Sequence, residues 1–307
     1  MHIVHGFRME DVHQLRVFAA VAESLSFTRA AEVLFMTQSG VSHQIARLEK
    51  SIGARLFVRE ARSVALTRAG RVLLDHARRV FVAMDNAVTA TRQASDPDSG
   101  MLRIGASITA CQYIVPEAVR EFRESFPAYS LRITPGDGPL VTQALLDGSL
   151  DLGIVVRQQK QSKLTYHELF EDELGFLVSP LHDWARAGKV DRRELSQQRM
   201  ILYNRQSTTF RLIEQYFVRA RAELRDWIEL GSVEAIKELV KLGLGVSVTG
   251  RWTARAEIRD GSLVWLPLPG RSIRRSWCIA SPAGRTPSLA EETFAELCKS
   301  ACRLIGR

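Results

Sequence analysis

Ser26-Phe-Thr-Arg-Ala-Ala-Glu-Val-Leu-Phe-Met-Thr-Gln-Ser-Gly-Val-Ser-His-Gln-Ile-Ala-Arg-Leu-Glu49 reads as two short helices joined by a tight turn. Ala30 and Ala31 are small enough to let helices approach closely. In the second helix, polar residues fall on one face and Val41, Ile45 and Leu48 on the other. A helix-turn-helix is built this way, and its second helix is the one that enters the major groove of DNA. The segment therefore predicts a sequence-specific DNA-binding chain.

The flanks extend that reading. Residues 11–24 carry Val12, Leu15, Phe18 and Ala22 on one helical face. Ser26 or Thr28 can cap the next helix, Phe35-Met36-Thr37 makes the turn, and Thr37 suits the N-cap of a helix running to about Lys50. Gly53 follows as the usual terminator. Arg55–Arg59 and Val64–Thr67 are short apolar runs around Glu60-Ala-Arg-Ser63, the pattern of a β-hairpin wing. A proline-free helix is predicted from Arg68 to about Gln93, with Leu73, Ala77, Val80, Met84, Ala87 and Thr91 spaced alternately by four and three. Leu74, Phe81 and Val88 widen this to a heptad stripe, which calls for a partner helix. The alternative is packing against its own chain. Ala94–Gly100 is polar and reads as a hinge.

Beyond Gly100 strands and helices alternate. Strands at 102–106, 131–134 and 151–156 and helices at 114–125 and 140–146 make a βαβαβ unit with a parallel sheet. A second set has strands near 174–178, 200–203, 228 and 245–248, with helices at 208–224 and 233–242. Strands near 263–266 and 275–280 and a helix at 288–305 end the chain. The predicted architecture is multidomain. An all-α winged helix-turn-helix domain (1–67) is followed by a long linker and dimerisation helix with its hinge (68–99). An α/β bilobed effector domain of periplasmic-binding-protein type (100–307) completes it. Lobe I is about 100–172 with 271–307, and lobe II about 173–270.

The chain has 307 residues and a formal net charge of +8. Residues 1–95 hold 13 Lys+Arg against 8 Asp+Glu, while the remaining 212 hold 29 against 26, so the excess is denser at the helix-turn-helix end. That suits a polyanionic partner. Cys111, Cys278, Cys298 and Cys302 form neither a disulfide framework nor a zinc pattern and read as reduced thiols. No span is apolar enough for a membrane, and the N-terminus lacks the order of a signal peptide, so a cytoplasmic protein with no membrane partner is expected. Residues 1–8 read as an extension ahead of Met9. No metal site, no cofactor and no enzyme motif is expected.

Together these features resemble the LysR-type transcriptional regulators. The resemblance is carried by Leu15-Arg-Val-Phe-Ala-Ala-Val-Ala-Glu-Ser, Ser26-Phe-Thr-Arg-Ala-Ala-Glu, Thr37-Gln-Ser-Gly-Val-Ser-His-Gln-Ile, Leu48-Glu49, Arg55–Arg59 and Leu66-Thr-Arg-Ala-Gly70. Ile104–Thr109 and Gly231-Ser-Val-Glu-Ala-Ile-Lys look like the subgroup containing carbon-fixation and sulfur-assimilation regulators. The resemblance implies double-stranded promoter DNA as partner and a homotetramer assembled as a dimer of dimers. It also implies a small-molecule effector between the lobes, and it admits RNA polymerase as a further partner. An organic acid, or a phosphorylated or sulfur-containing anion, is the expected effector. A carrier using only the effector domain and a general nucleoid-binding protein are the rivals.

Candidate sites follow. Gln38, Ser39, Ser42 and His43 lie at the start of the second helix, the part that normally meets base edges. Gln38 can pair bidentately with adenine, and His43 stands where the family often has arginine. Gly40 reads either as a close backbone approach or as neutral. Thr28 and Thr37 are further DNA-contact candidates, Arg47 is a phosphate contact or a solvated charge, and Arg59 and Arg62 belong to the wing. Leu73, Ala77, Val80, Phe81, Met84 and Ala87 are the dimerisation candidates. Ser107 and Thr109 in one lobe and Ser207 and Thr208 in the other sit at helix starts, where free N–H groups favour an anion. Gly138 belongs to a neighbouring loop. These hydroxyl residues read either as ordinary caps or as ligand groups, and the resemblance favours the cleft. Cys111 is close by and reads chiefly as a small buried hydrophobe.

Overall fold

The computed structural model describes residues 9–60, 63–95, 99–157 and 162–305. They fall into two compact units, the first ending at Val88 and the second starting at Thr89. The predicted extension 1–8 and Arg62 lie outside the described residues.

The first unit contains α1 (Met9–Ser24), α2 (Phe27–Val33), α3 (Gln38–Ile52), β1 (Phe57–Glu60), β2 (Ser63–Leu66) and, as far as Val88, α4 (Arg68–Ser95). Ser26 rather than Thr28 caps α2, its hydroxyl accepting the Arg29 amide at 3.2 Å. Thr37 caps α3 by accepting the Gly40 amide at 3.1 Å. Gly53 closes α3 at φ 74°, the left-handed region that glycine enters without a Cβ clash. Val41, Ile45 and Leu48 are buried as their spacing predicts, against Val17, Phe18 and Val21 of α1 and Ala30 of α2. β1 and β2 form the expected antiparallel hairpin, in register from Phe57 opposite Leu66 to Glu60 opposite Ser63.

Along α4 the heptad stripe divides. Leu74 and Ala77 are buried in the core of this unit, with Leu73 and Phe81 packed at its edge. Further on, Val80, Met84 and Val88 are exposed, Val88 to 52%. The same periodicity thus packs within the chain over its first turns and leaves an apolar stripe uncovered beyond them.

The second unit begins with β3 (Gly100–Ala106), α5 (Ile108–Tyr113), α6 (Val115–Ser125), β4 (Tyr129–Pro135), α7 (Gly138–Leu146), β5 (Leu152–Val156) and β6 (Leu164–Val178). It continues through α8 (Asp183–Ala187), β7 (Met200–Tyr203), α9 (Thr208–Ala220), β8 (Trp227–Leu230), α10 (Val233–Lys241) and β9 (Ser247–Gly250). It ends with α11 (Arg255–Asp260), β10 (Val264–Pro267), β11 (Ile273–Pro282) and α12 (Leu289–Ile305). The main sheet runs β4-β3-β5-β11-β6-β10, with β9 also pairing β6. β3 is parallel to β4 and β5, as the βαβαβ reading requires. β7 and β8 form a separate parallel pair.

Two cores result. Leu102, Ile104, Phe122, Ile154, Trp277 and Phe294 belong to one lobe. Phe176, Trp184, Ile201, Phe217, Ile236 and Val248 belong to the other. β6 and β11 run through both lobes as an antiparallel pair from Leu164 opposite Pro282 to Ile273 opposite Leu174.

Three expectations are corrected. β6 starts at Leu164, about ten residues before the strand read near 174–178. Its first half lies at the sheet edge with exposed Glu168 and Glu171, so it has no continuous apolar pattern. α9 stops at Ala220 rather than 224, because Arg221 turns left-handed at φ 54° and the Ala222 amide bonds back to the Phe217 carbonyl at 2.9 Å. The helix expected from Ile114 is preceded by a separate one, α5, capped by Ser107.

Candidate DNA interface and interlobe cleft

α3 is held by its inner face and presents the other. Gln38, Ser39, His43 and Arg47 are exposed, Ser42 is half-buried, and Thr37 caps the helix beside them. Gln38 Nε2 approaches Ser42 Oγ at 3.5 Å, and Thr37 Oγ1 lies 3.1 Å from Ser39 Oγ. These polar groups share one helix start, the geometry needed to offer paired donors and acceptors to base edges. A Cβ on Gly40 would lie 3.1 Å from Thr37 Oγ1, so this position is crowded by the cap itself. Thr28 is exposed in the first turn of α2. Arg59 lies on β1 opposite Val64.

Two features here escaped sequence reading. Glu49, only 8% exposed, accepts the Leu56 amide at 2.7 Å and the Phe57 amide at 3.4 Å, and pairs with Arg55 at 3.0 Å. It ties the end of α3 to the wing. Its place after Leu48 on a buried face is the signal that a carboxylate there needs internal donors. Phe35, in the turn before α3, has φ 53° and is 98% exposed. A left-handed aromatic residue is uncommon, and residue type alone did not foretell it.

In the second unit, Ser107, Thr109, Gly138, Ser207 and Thr208 all line one cavity between the lobes, together with Asp137, Tyr203, Asn204, Thr209 and Trp277. Its volume is about 40 Å3, room for two or three waters at most. Ser107 Oγ accepts the Ala110 amide at 3.2 Å and Ser207 Oγ the Phe210 amide at 3.0 Å. The two serines are therefore helix caps that also line the cavity.

Direct bonds between the lobes hold the cleft narrow. Asn204 Nδ2 donates to Asp137 Oδ2 at 2.9 Å, and Gln112 Nε2 donates to Ser232 Oγ at 3.0 Å. Tyr113 OH accepts from Lys237 Nζ at 3.0 Å and donates to Glu234. Burial first, and then Glu234, push the Tyr113 hydroxyl pKa well above its usual value, so it acts as a neutral donor. At the back of the cleft Arg275 is buried against Asp172, and its Nη1 donates to Thr209 Oγ1 at 2.7 Å. Asn204 had a readable signal, since its Oδ1 accepts the Ser207 amide at 3.0 Å in the turn preceding α9. Trp277 and Arg275 had none, because they arrive from a strand far along the chain.

The thiols are chemically quiet. Cys298 and Cys302 are buried and their pKa values are raised by burial, that of Cys302 to about 12. Burial also raises that of half-buried Cys111, whose Sγ lies 3.8 Å from the Ala106 carbonyl. Among the described residues no group of three or more His, Cys, Asp or Glu is placed to hold a metal. No described helix is long and apolar enough to cross a membrane.

Comparison with known proteins follows the same division. Residues 12–71 match the bacterial regulatory helix-turn-helix protein, lysR family, and residues 95–303 match the LysR substrate binding domain. The HTH-type transcriptional activator CmpR of Synechocystis sp. is 30% identical over 283 residues, covering 92% of this chain and 93% of that protein. A probable RuBisCO transcriptional regulator of Thalassiosira pseudonana is 32% identical over 291 residues, covering 92% and 95%. Full-length CbnR complexed with its target DNA aligns with TM-score 0.67 at 21% identity, over 94% of this chain and 99% of that one. A full-length OxyR variant from Pseudomonas aeruginosa aligns at 0.58 with 22% identity, over 96% and 100%.

Proposed function

The chain belongs to the LysR family of regulatory helix-turn-helix proteins, and on that premise we propose how its parts work. It is a transcriptional regulator, not an enzyme. In our reading α3 reads the major groove through Gln38, Ser39, Ser42 and His43, with Thr28, Thr37 and Arg47 beside them. Arg59 and Arg62 of the wing contact backbone or minor groove. A bidentate pair from Gln38 to adenine would discriminate by about 1–3 kcal/mol.

The exposed Val80 and Met84 support pairing with α4 of a second copy, with Ala87 on the same face. Leu73, Ala77 and Phe81 sit nearer the first-unit core and position that helix. Assembly of such dimers in pairs gives a tetramer, with half-sites roughly 34–36 Å apart for each dimer. The functional division we retain is 1–67 for DNA, 68–99 for pairing and 100–307 for effector. The regulator acts in the cytoplasm, and RNA polymerase is its partner at the promoter.

Small-anion control from the cleft rests on one observation. Ser107, Thr109, Gly138, Ser207 and Thr208, drawn from both lobes, line a single cavity. A ligand seated there touches both lobes and stabilises one spacing between them, which is how binding energy becomes a shift in conformation. A protection experiment on the promoter upstream of a responsive gene tests the DNA half. A dyad-symmetric footprint that persists in competition with random DNA is expected, and equal binding to random DNA at physiological salt would exclude it.

A further inference from the structure

The cleft is lined by hydroxyls and helix starts, yet the charged side chain among its described lining residues is a carboxylate. Asp137 precedes α7 at the N-cap position, but its side chain makes no cap hydrogen bond. It turns instead across the cleft and accepts from Asn204 Nδ2 at 2.9 Å. The Asn204 amide cannot be reversed without loss, since its Oδ1 already accepts the Ser207 amide at 3.0 Å. When the lobes part, Asn204 therefore stays with α9, and Asp137 is left without its donor.

Trp277, of the same lobe as Asp137, also lines this cavity; it is 1% exposed and its Nε1 is buried without a hydrogen-bond partner. A buried N–H left unpaired is uncommon and calls for an acceptor. Arg275, the buried cation bonded to the lining residue Thr209, is already engaged by Asp172. It is not free to neutralise a second negative charge. A phosphate or dicarboxylate entering this cleft would bring a dianion against Asp137 with no lining cation to compensate it.

We propose that the cleft selects a small zwitterion of the α-amino-acid class, its ammonium on Asp137 and its carboxylate on the α9 start and Trp277 Nε1. This rests on the reading of the cleft as an effector site and replaces the net-anionic ligand expected there with a zwitterion. An ammonium replaces the donor that Asn204 withdraws, and the bond it forms is between two charged groups, which are the stronger hydrogen bonds. A hydroxy acid supplies a weaker donor, and a plain carboxylic acid supplies none.

Four probes sharing a three-carbon skeleton isolate that choice: L-alanine, L-lactate, propionate and malonate. Each is titrated into the full-length protein while unfolding is followed by tryptophan fluorescence. A ligand of the folded state raises the transition by mass action. Alanine is expected to bind at least about tenfold more tightly than propionate, with lactate between them and malonate without effect. Asp137→Asn removes the advantage of alanine and admits malonate. Asp137→Ala removes the same advantage, and comparing the unliganded transitions of the two variants exposes a folding defect in either. Propionate or malonate matching alanine in the wild type would overturn the inference, as would an unchanged ranking in Asp137→Asn. A failure of all four probes would also overturn it. The effector reading itself falls only if wedging the cleft open with Gly231→Trp leaves promoter binding unchanged as well.

Discussion

Asp172 and Arg275 face each other as direct cross-strand partners where β6 and β11 pass between the lobes, with Arg275 Nε donating to Asp172 Oδ1 at 2.8 Å. Both are buried, and Trp252 Nε1 adds a third donor to Asp172 at 2.7 Å. Burial opposes the charge on Arg275, but Asp172 outweighs it and holds the guanidinium pKa above its usual value. The pair also reaches Thr209 in the cleft wall, so the crossing point and the interlobe cavity share one network.

Removing one partner strands a buried charge. Arg275→Met is expected to destabilise the second unit by about 3–5 kcal/mol. All five tryptophans lie in that unit, so their fluorescence follows its unfolding separately from the first. Gly250→Ala should act in the same direction, because a Cβ there would collide with Asp172 Oδ2. An unshifted urea midpoint in both variants would mean the pair is not closed in solution.

Glu49 plays the corresponding part in the first unit. Glu49→Ala leaves the buried Leu56 and Phe57 amides without their acceptor, a loss of about 1–3 kcal/mol. Promoter binding and first-unit helical signal on heating should fall together, with the tryptophan transition unmoved. Gly70→Ala should mimic it, since a Cβ there would collide with the Leu56 carbonyl oxygen.

At the DNA face, Gln38→Ala is expected to weaken specific binding by about 1–3 kcal/mol while leaving random-DNA binding and its salt slope alone. Equal losses on both DNAs in a competition titration would make Gln38 a backbone contact.

The Lys237 network gives a pH dependence. Lys237 Nζ lies 2.9 Å from Glu257 Oε1. Burial opposes ionisation of Glu257, but the Lys237 hydrogen bond, the backbone, and the charges of Lys237 and Lys241 outweigh it and lower its pKa from 4.5. Its folded pKa is thus below its unfolded one. The stabilisation is complete above the unfolded value and is lost as pH falls through the folded value. Glu234 and Tyr113 face the same lysine. The tryptophan transition should drop as pH falls below about 4.5, the ordinary value from which Glu257 is lowered, and drop less steeply in Glu257→Gln. Parallel slopes would remove Glu257 from the account.

What could be read from the sequence follows the range of the interactions. The helix-turn-helix was legible because its cap at Thr37, its terminator at Gly53 and its buried face of Val41, Ile45 and Leu48 are fixed within a few residues. Ser107 and Ser207 could be placed because helix caps are local signals too, and Thr109, Thr208 and Gly138 because they sit in the first turns of the helices those signals start. The Asp172–Arg275 pair was not, since its members are 103 positions apart and depend on strand register. The first half of β6 was hidden by edge charges, and the heptad stripe on α4 could not reveal that Leu74 and Ala77 would be buried at home.

The central claim is that the state of the cleft sets promoter binding, and Gly231→Trp tests it without a known effector. Gly231 lines the cavity, and a Cβ there would meet only Ile108 of the opposite lobe, at 3.6 Å. A large ring there should keep the lobes apart. The account predicts a promoter affinity changed by at least about tenfold, roughly 1.4 kcal/mol, with an altered footprint and unchanged random-DNA binding. An isotherm and footprint identical to wild type, in a variant whose tryptophan fluorescence reports an opened cleft, would contradict it.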